Sequence, residues 1–349
     1  MKKTISFLVL SLVLSFSYAQ RNGKSYKIRT VAFYNLENLF DTENDTEKND
    51  EASPIMEMGG DREKVYQDKL KKLASVISQL GKEKAKTSPT LLGVAEIENK
   101  KVLTDLINTD ALKKKHYGIV HFDSPDKRGI DVALLYQKRY FKPVHFEAID
   151  PKIYSNGRKV YTRDILLVSG YLDDELVHVI VNHWPSRRGG EAKSRPLREK
   201  AAAQVAKIIA KIKETDPNPK VLIMGDFNDD PINSSFKKIL KTKSKKKNVT
   251  KEDIYNPYED MFRRGFNTLV YRDNINLFDQ IMFTYPLLNK GNNDFSSFKM
   301  FKSGIFNKRF LTQKNARYKG YPFRSFSNGK YTGGYSDHYP VYLYLIKEK

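Results

Sequence analysis

The 349-residue chain contains no cysteine. This excludes disulfides, thiolate metal sites and cysteine nucleophiles, so any metal must be held by oxygen or imidazole. A chain of roughly 330 residues buries enough core to fold without disulfides, even outside a reducing compartment. Tryptophan occurs once, as Trp184. Only one long apolar run is present, TISFLVLSLVLSFSYA at residues 4–19, preceded by MKK. It is shorter than the roughly 20 residues a membrane span needs. With small residues at Ser17 and Ala19, it predicts a signal peptide over 1–19, cleaved before Gln20. No cysteine follows the cleavage position to accept a lipid. The mature chain is therefore expected to be exported, secreted or periplasmic, with no stable membrane insertion.

Acidic residues are also in deficit, 41 against 62 Lys and Arg, giving a formal charge of +21. The charge falls to +19 when Lys2 and Lys3 leave with the leader, which carries no acid. Such a surface attracts polyanions, nucleic acid first, then anionic lipid or polysaccharide.

No internal repeat is visible, and residues 20–349 are expected to form one domain and a monomer. The acidic stretch 41–61, broken by Pro54 and Gly59-Gly60, predicts a loop. Tyr66, Leu70, Leu73, Ile77 and Leu80 have helical spacing over 61–81. A second helix is predicted over Glu191–Glu214, with Val205, Ile208, Ile209 and Ile212 on one face. Strands and helices do not alternate strictly, which argues against a doubly wound parallel sheet. Lys237–Lys251 reads as a solvated loop. Lys308–Tyr335 interleaves basic and aromatic residues, which suits either phosphate gripping with base stacking or a loop packed through its rings.

Polar residues recur at the ends of short apolar runs that read as buried strands. Asn35 and Glu37 follow TVAFY, Glu96 follows TLLGVA, and Asn182 and His183 follow VHVIV. Asp226 and Asn228 follow VLIMG, Arg128 precedes IDVALLY, Asp279 precedes QIMF, and Asp337-His338 leads into the last strand. In a mixed sheet these ends can share one edge. A rim of carboxylates, imidazoles and amides there suits divalent metal binding and phosphate-ester hydrolysis. In GDFNDDP, Asp226 can orient or deprotonate a water and Asn228 can hold an oxygen, or the segment is only a capped turn. His183 in NHWPSR, beside Arg187, suits a phosphate pocket. Glu96 needs a cation partner. Glu98 is a rival ligand, expected to be less deeply placed.

Taken together, YNLENLFD, GIDVALLY, VNHWPSR, GDFND and SDHYP resemble the endonuclease/exonuclease/phosphatase superfamily, most closely its secreted bacterial nuclease-like branch, from about residue 29 to 346. The resemblance implies an α+β four-layer sandwich, two packed mixed sheets flanked by helices. It implies Mg²⁺ or Mn²⁺ at Glu96, with Asn35 and Asp337 near the metal. Asp279 would pair with His338, Asp226 and Asn228 would handle the nucleophile, and His183 would stand near the phosphate. Arg128 and Arg187 would bind phosphate or substrate. The expected activity is metal-dependent phosphodiester hydrolysis of DNA or RNA. The alternatives are a phospholipid or phosphoinositide phosphodiesterase or phosphatase on the same fold, and a non-catalytic nucleic-acid-binding protein.

Overall fold

Along TVAFY, successive side chains enter two different cores. Val31 and Phe33 pack with Val181, Leu222 and Met224, whereas Ala32 and Tyr34 pack with Tyr66, Leu70 and Leu73 of a helix. A strand buried on both faces reads as a continuous apolar run, which is why the pattern looked unbroken in the sequence. The computed structural model describes residues 24–349 apart from 292–293 and 315–316. The leader predicted over 1–19 lies outside the described residues.

Two six-stranded mixed sheets face each other. The first runs, in spatial order, Lys299–Ile305, Val341–Glu348, Tyr26–Leu39, Leu91–Ile97, Asp131–Gln137 and Tyr117–His121. The second runs Ile254–Tyr255, Asp279–Thr284, Val221–Asp226, Glu175–His183, Ile165–Leu172 and Phe141–Ile149. Each has a parallel pair at its centre, Tyr26–Leu39 with Leu91–Ile97 in one and Val221–Asp226 with Glu175–His183 in the other. One apolar layer lies between the sheets, and one lies outside each sheet under the helices. This is the four-layer sandwich that the resemblance implied.

The helix Arg62–Ile77 matches its predicted spacing. Asp61 caps it by accepting from Lys64 N at 3.0 Å. Leu80, expected within it, is buried just past its end, where Gly81 turns the chain at φ 71°. The helix Glu191–Thr215 covers the second sheet through Val205, Ile208, Ile209 and Ile212. A shorter helix, Lys100–Asn108, was not anticipated. It buries only Val102, Leu103 and Leu106, too brief a pattern to read, and its clearest signal is the Asn99 cap on Val102 N at 3.1 Å.

The 41–61 stretch is largely loop, with a short helix at Pro54–Glu57. Lys237–Lys251 is less fully solvated than expected. Lys237 lies in the short π-helix Ser235–Ile239 and reaches Glu259 at 2.8 Å, and Val249 is buried. The described residues of Lys308–Tyr335 form a strap containing the turn Arg309–Leu311 and the small hairpin Phe326–Ser327 with Lys330–Tyr331.

Candidate active site

In the second sheet, register alone assembles a row. Asp226 is the partner of His183 on the parallel side and of Asp279 on the antiparallel side. All three are buried. The strands approach closely here because residue 225 is glycine, and a Cβ on Gly225 would lie 2.3 Å from the Asn182 carbonyl oxygen. Beneath the row, Trp184 is buried against Phe227 and Phe236, with ring centroids at 4.7 and 5.5 Å. Its indole N–H donates to the Asn182 side-chain oxygen at 3.1 Å. Asn182 thus belongs to the scaffold, and Trp184 packs rather than contacts a ligand.

The first sheet reaches the same edge through irregular backbone. Pairing between Leu91–Ile97 and Asp131–Gln137 slips between Ala95 and Ile97, which makes Glu96 the bulged residue. Glu96 sits at φ 58°, and Glu37 and Asn38 at 48° and 50°. Such conformations cost free energy in non-glycine residues and concentrate where function demands a particular side-chain direction. The Glu96 carboxylate accepts from Asn38 N at 3.1 Å. Glu96 stands beside Asn35, Asp337 and His338 and keeps its carboxylate partly open at the edge. Glu98 instead accepts from Asp41 N at 2.8 Å, away from the row.

The two edges meet. His183 Nε2 lies 3.7 Å from Asp226 and 3.9 Å from Glu96. His338 Nδ1 is 2.7 Å from Asp279 Oδ2, and its Nε2 is 3.9 Å from Asp226. The expected Asp279–His338 pair is therefore present. Asn228, at φ 50°, donates its backbone N–H to Asp226 at 3.0 Å and its side-chain amide to the Trp184 carbonyl at 3.0 Å. Thr268 adds a support with no sequence signal, since its hydroxyl accepts from Asp279 N at 3.2 Å.

Burial and neighbouring charges set the protonation states. Burial, with Arg163 and Arg128 nearby, pushes His183 well below the usual imidazole range, so it is neutral at pH 7. Burial also opposes charge on His338, but Asp279, Asp226 and Asp337 outweigh it and hold its pKa well above the usual range. Burial raises Asp226 to about 6, against the pull of His338. Burial and Asp337 raise Glu96.

The remaining predicted residues are held by partners within the protein, with Asn35 and Asp337 beside Glu96. The Asn35 amide donates to Asp226 at 3.1 Å while its carbonyl accepts from Glu37 N at 2.9 Å, so Asn35 orients a carboxylate. Glu37 faces the strap, accepting from Ser325 N at 2.5 Å, with Lys69 Nζ on its backbone carbonyl at 2.5 Å. Asp337 pairs with Arg324 at 2.9 Å. Arg187 bonds the Asn228 carbonyl at 2.9 Å, and Asp230 and Asn233 at 3.1 and 3.2 Å. Its guanidinium braces the loop that carries Asn228 rather than waiting for phosphate. Arg128 is half-exposed and forked onto Asp126 at 3.2 Å. Arg163 was missed altogether, yet it is buried and bonds the carbonyls of His183 and Trp184 at 3.1 and 2.6 Å. Only its place between two strands, in no motif, marks it.

The donor set fits a hard divalent cation. Ligand atoms of Glu96, His183 and Asp226 lie within 4.8 Å of one another and consist of oxygen and imidazole alone. The raised carboxylates of Glu96 and Asp226 are those that a nearby cation would relieve.

Among solved structures, the chain is similar to an endonuclease/exonuclease/phosphatase family protein from Bacteroides thetaiotaomicron, with 16% identity, TM-score 0.55, and 93% of this chain and 99% of that one covered. It is also similar to a mannosyl-6-phosphatase from the same organism, at 17% identity and TM-score 0.52, covering 91% and 99%. A third is D. rerio TDP2 complexed with a single-strand DNA product, at 13% identity and TM-score 0.51, covering 91% and 98%. These likenesses show the fold. No curated protein matches the sequence. Members of the family that does match are phosphoric ester hydrolases that depend on a divalent metal. The model of the Endonuclease/Exonuclease/phosphatase family matches residues 30–347, and the chain belongs to that family.

Proposed function

We propose that the protein is an exported phosphodiesterase that hydrolyses nucleic acid. The observation that carries the chemistry is the convergence of Asp226, the Asp279–His338 pair, His183 and Glu96 on one edge. Hydrolysis needs an activated water in line with the leaving oxygen and cationic groups around the phosphoryl oxygens. Asp226 is suited to orient the water and take its proton, because Asn35 and the Asn228 N–H fix its carboxylate. His338, kept charged by Asp279, presents Nε2–H on the Asp226 side and stabilises charge on the phosphate. Neutral His183 offers a hydrogen bond or a ligand atom beside Glu96. Asn228 keeps one amide hydrogen and its side-chain oxygen for substrate or water. Mg²⁺ or Mn²⁺ held by Glu96, with His183 and Asp226 in reach, would neutralise charge on the phosphate.

The choice of nucleic acid rests on the excess of bases, 62 against 41 acids, and on the basic, aromatic strap beside the site. No described helix is long and apolar enough to cross a membrane. Export rests on the MKK leader and its apolar run alone.

The test is supercoiled plasmid with and without Mg²⁺ or Mn²⁺, alongside Asp226→Ala and a matching RNA. Metal-dependent nicking or RNA cleavage, lost in the variant, is expected. Hydrolysis of sugar phosphates or phospholipid vesicles by a folded protein inert to DNA and RNA would overturn the substrate. N-terminal sequencing of exported material should begin at Gln20.

A further inference from the structure

A cavity of about 380 Å³ opens between the strap and the hairpin formed by Leu269–Tyr271 and Asn274–Asn276. Its volume lies in the range of small-ligand sites. Both walls are rooted in the catalytic edge. The hairpin emerges from Thr268, whose hydroxyl holds Asp279 N and whose carbonyl accepts from Tyr339 N at 2.7 Å. The strap is pinned at Ser325 by the Glu37 carboxylate and, through the Ser325 hydroxyl, by Lys69 at 2.9 Å. Arg324 lines the cavity and also donates to Asp337, next in sequence to His338. One guanidinium thus joins the cavity to the phosphate centre.

The lining is aromatic and cationic. Tyr271 is 61% exposed on the hairpin, with Arg272 at 5.3 Å from its ring centroid. Phe323 and Tyr321 line the strap side. The one acid, Asp273, is engaged by the Tyr321 hydroxyl. Sugars call for free carboxylates and amides beside a ring. Here the carboxylate is spent, one amide (Gln313) remains, and rings with the guanidinium groups of Arg272, Arg317 and Arg324 make up most of the rest of the lining, which fits a planar base carrying phosphate on either side.

We propose that this cavity is a stacking subsite for an unpaired base of the strand whose phosphate occupies the catalytic edge. The inference rests on the nucleic-acid reading above and deepens it. Tyr271 and Phe323 supply the rings. Arg324 spans the step from base to phosphate and sets how far the base lies from the bond to be cut. A paired base cannot enter without leaving its stack, so the subsite favours single-stranded or frayed substrate.

The experiment is fluorescence anisotropy in EDTA, which stops turnover, with a labelled short oligothymidylate and an abasic strand of equal length. Equal charge cancels the phosphate contribution. Wild type is expected to bind the base-bearing strand roughly tenfold more tightly, the scale of one stacked base. Tyr271→Ala and Phe323→Leu should lose most of that preference, Tyr271→Phe should keep it, and affinity for the abasic strand should barely change. Equal binding of both strands by wild type, or full preference in Tyr271→Ala, overturns the subsite. The plasmid assay separates the two ideas. Nicking without base preference removes the subsite alone, whereas base preference without cleavage of any nucleic acid supports the subsite and removes the nuclease.

Discussion

The two sheets reach one catalytic edge by different means. In the second, ordinary register is enough, since His183, Asp226 and Asp279 are direct neighbours across three strands. In the first, the chain slips at Glu96 and takes left-handed conformations at Glu37, Asn38 and Glu96. The regular edge carries Asp226, suited to water activation, and Asp279, which holds His338 at the entry to the last strand of the first sheet. The irregular edge carries the carboxylates that need cations, Glu96 with the neutral His183 beside it and so suited to a metal ion, and Glu37 and Asp337 facing Arg324. Register positions groups at fixed strand spacing, about 4.8 Å. A bulge can redirect a single carboxylate off that lattice, at the cost of local strain.

Predictions that could break this comparison begin on the regular edge. Asp226→Asn should reduce turnover by about 10²–10⁴-fold, with the circular dichroism spectrum unchanged, because a general base is lost while the packing is kept. An active Asp226→Asn would remove the regular edge from the chemistry. Asp279→Asn should cost about 10²–10³-fold. It should also lower the His338 pKa, because it removes the carboxylate that holds the imidazole protonated. Imidazole signals in proton NMR would show this as a titration moved toward lower pH.

On the irregular edge, effects should be smaller and of another kind. Glu37→Gln weakens the anchor on Ser325 N, Phe326 N and Arg324. About 1–3 kcal/mol of stability should be lost, measured by urea unfolding, with earlier proteolysis within the strap. The smallest effect is expected back on the regular edge, for Arg187→Lys, which keeps the charge but not the fork that holds Asn228, Asp230 and Asn233. Turnover should fall less than tenfold. A loss as large as that of Asp226→Asn would show that Arg187 meets the substrate after all.

Legibility in the sequence followed the same division. Residues set by register were readable, because Asp226, His183 and Asp279 each border a run of strand-forming residues. The two long helices were readable from spacing. The four-layer arrangement came from the family likeness, since strands buried on both faces give no alternation to count. No local signal marks the slip at Glu96, so its left-handed backbone and redirected carboxylate are visible only in the fold. Arg163, Lys69 and Thr268 have no signal in the sequence because each works through contacts distant in sequence, Lys69 with Ser325 among them, whereas Arg324 stands in the basic, aromatic stretch that the sequence marks. Arg187 was assigned to phosphate because the acids that occupy it, Asp229 and Asp230, lie about forty residues on.

The most direct test of the division between edges is turnover against Mg²⁺ or Mn²⁺ concentration for wild type, Glu96→Gln and Asp226→Asn on one substrate. For Glu96→Gln, the half-saturating metal concentration should rise by about 10–100-fold, with much of the rate recovered at high metal. For Asp226→Asn, the plateau should stay low at every concentration. An unchanged metal requirement in Glu96→Gln, or full recovery of Asp226→Asn by added metal, would contradict the account.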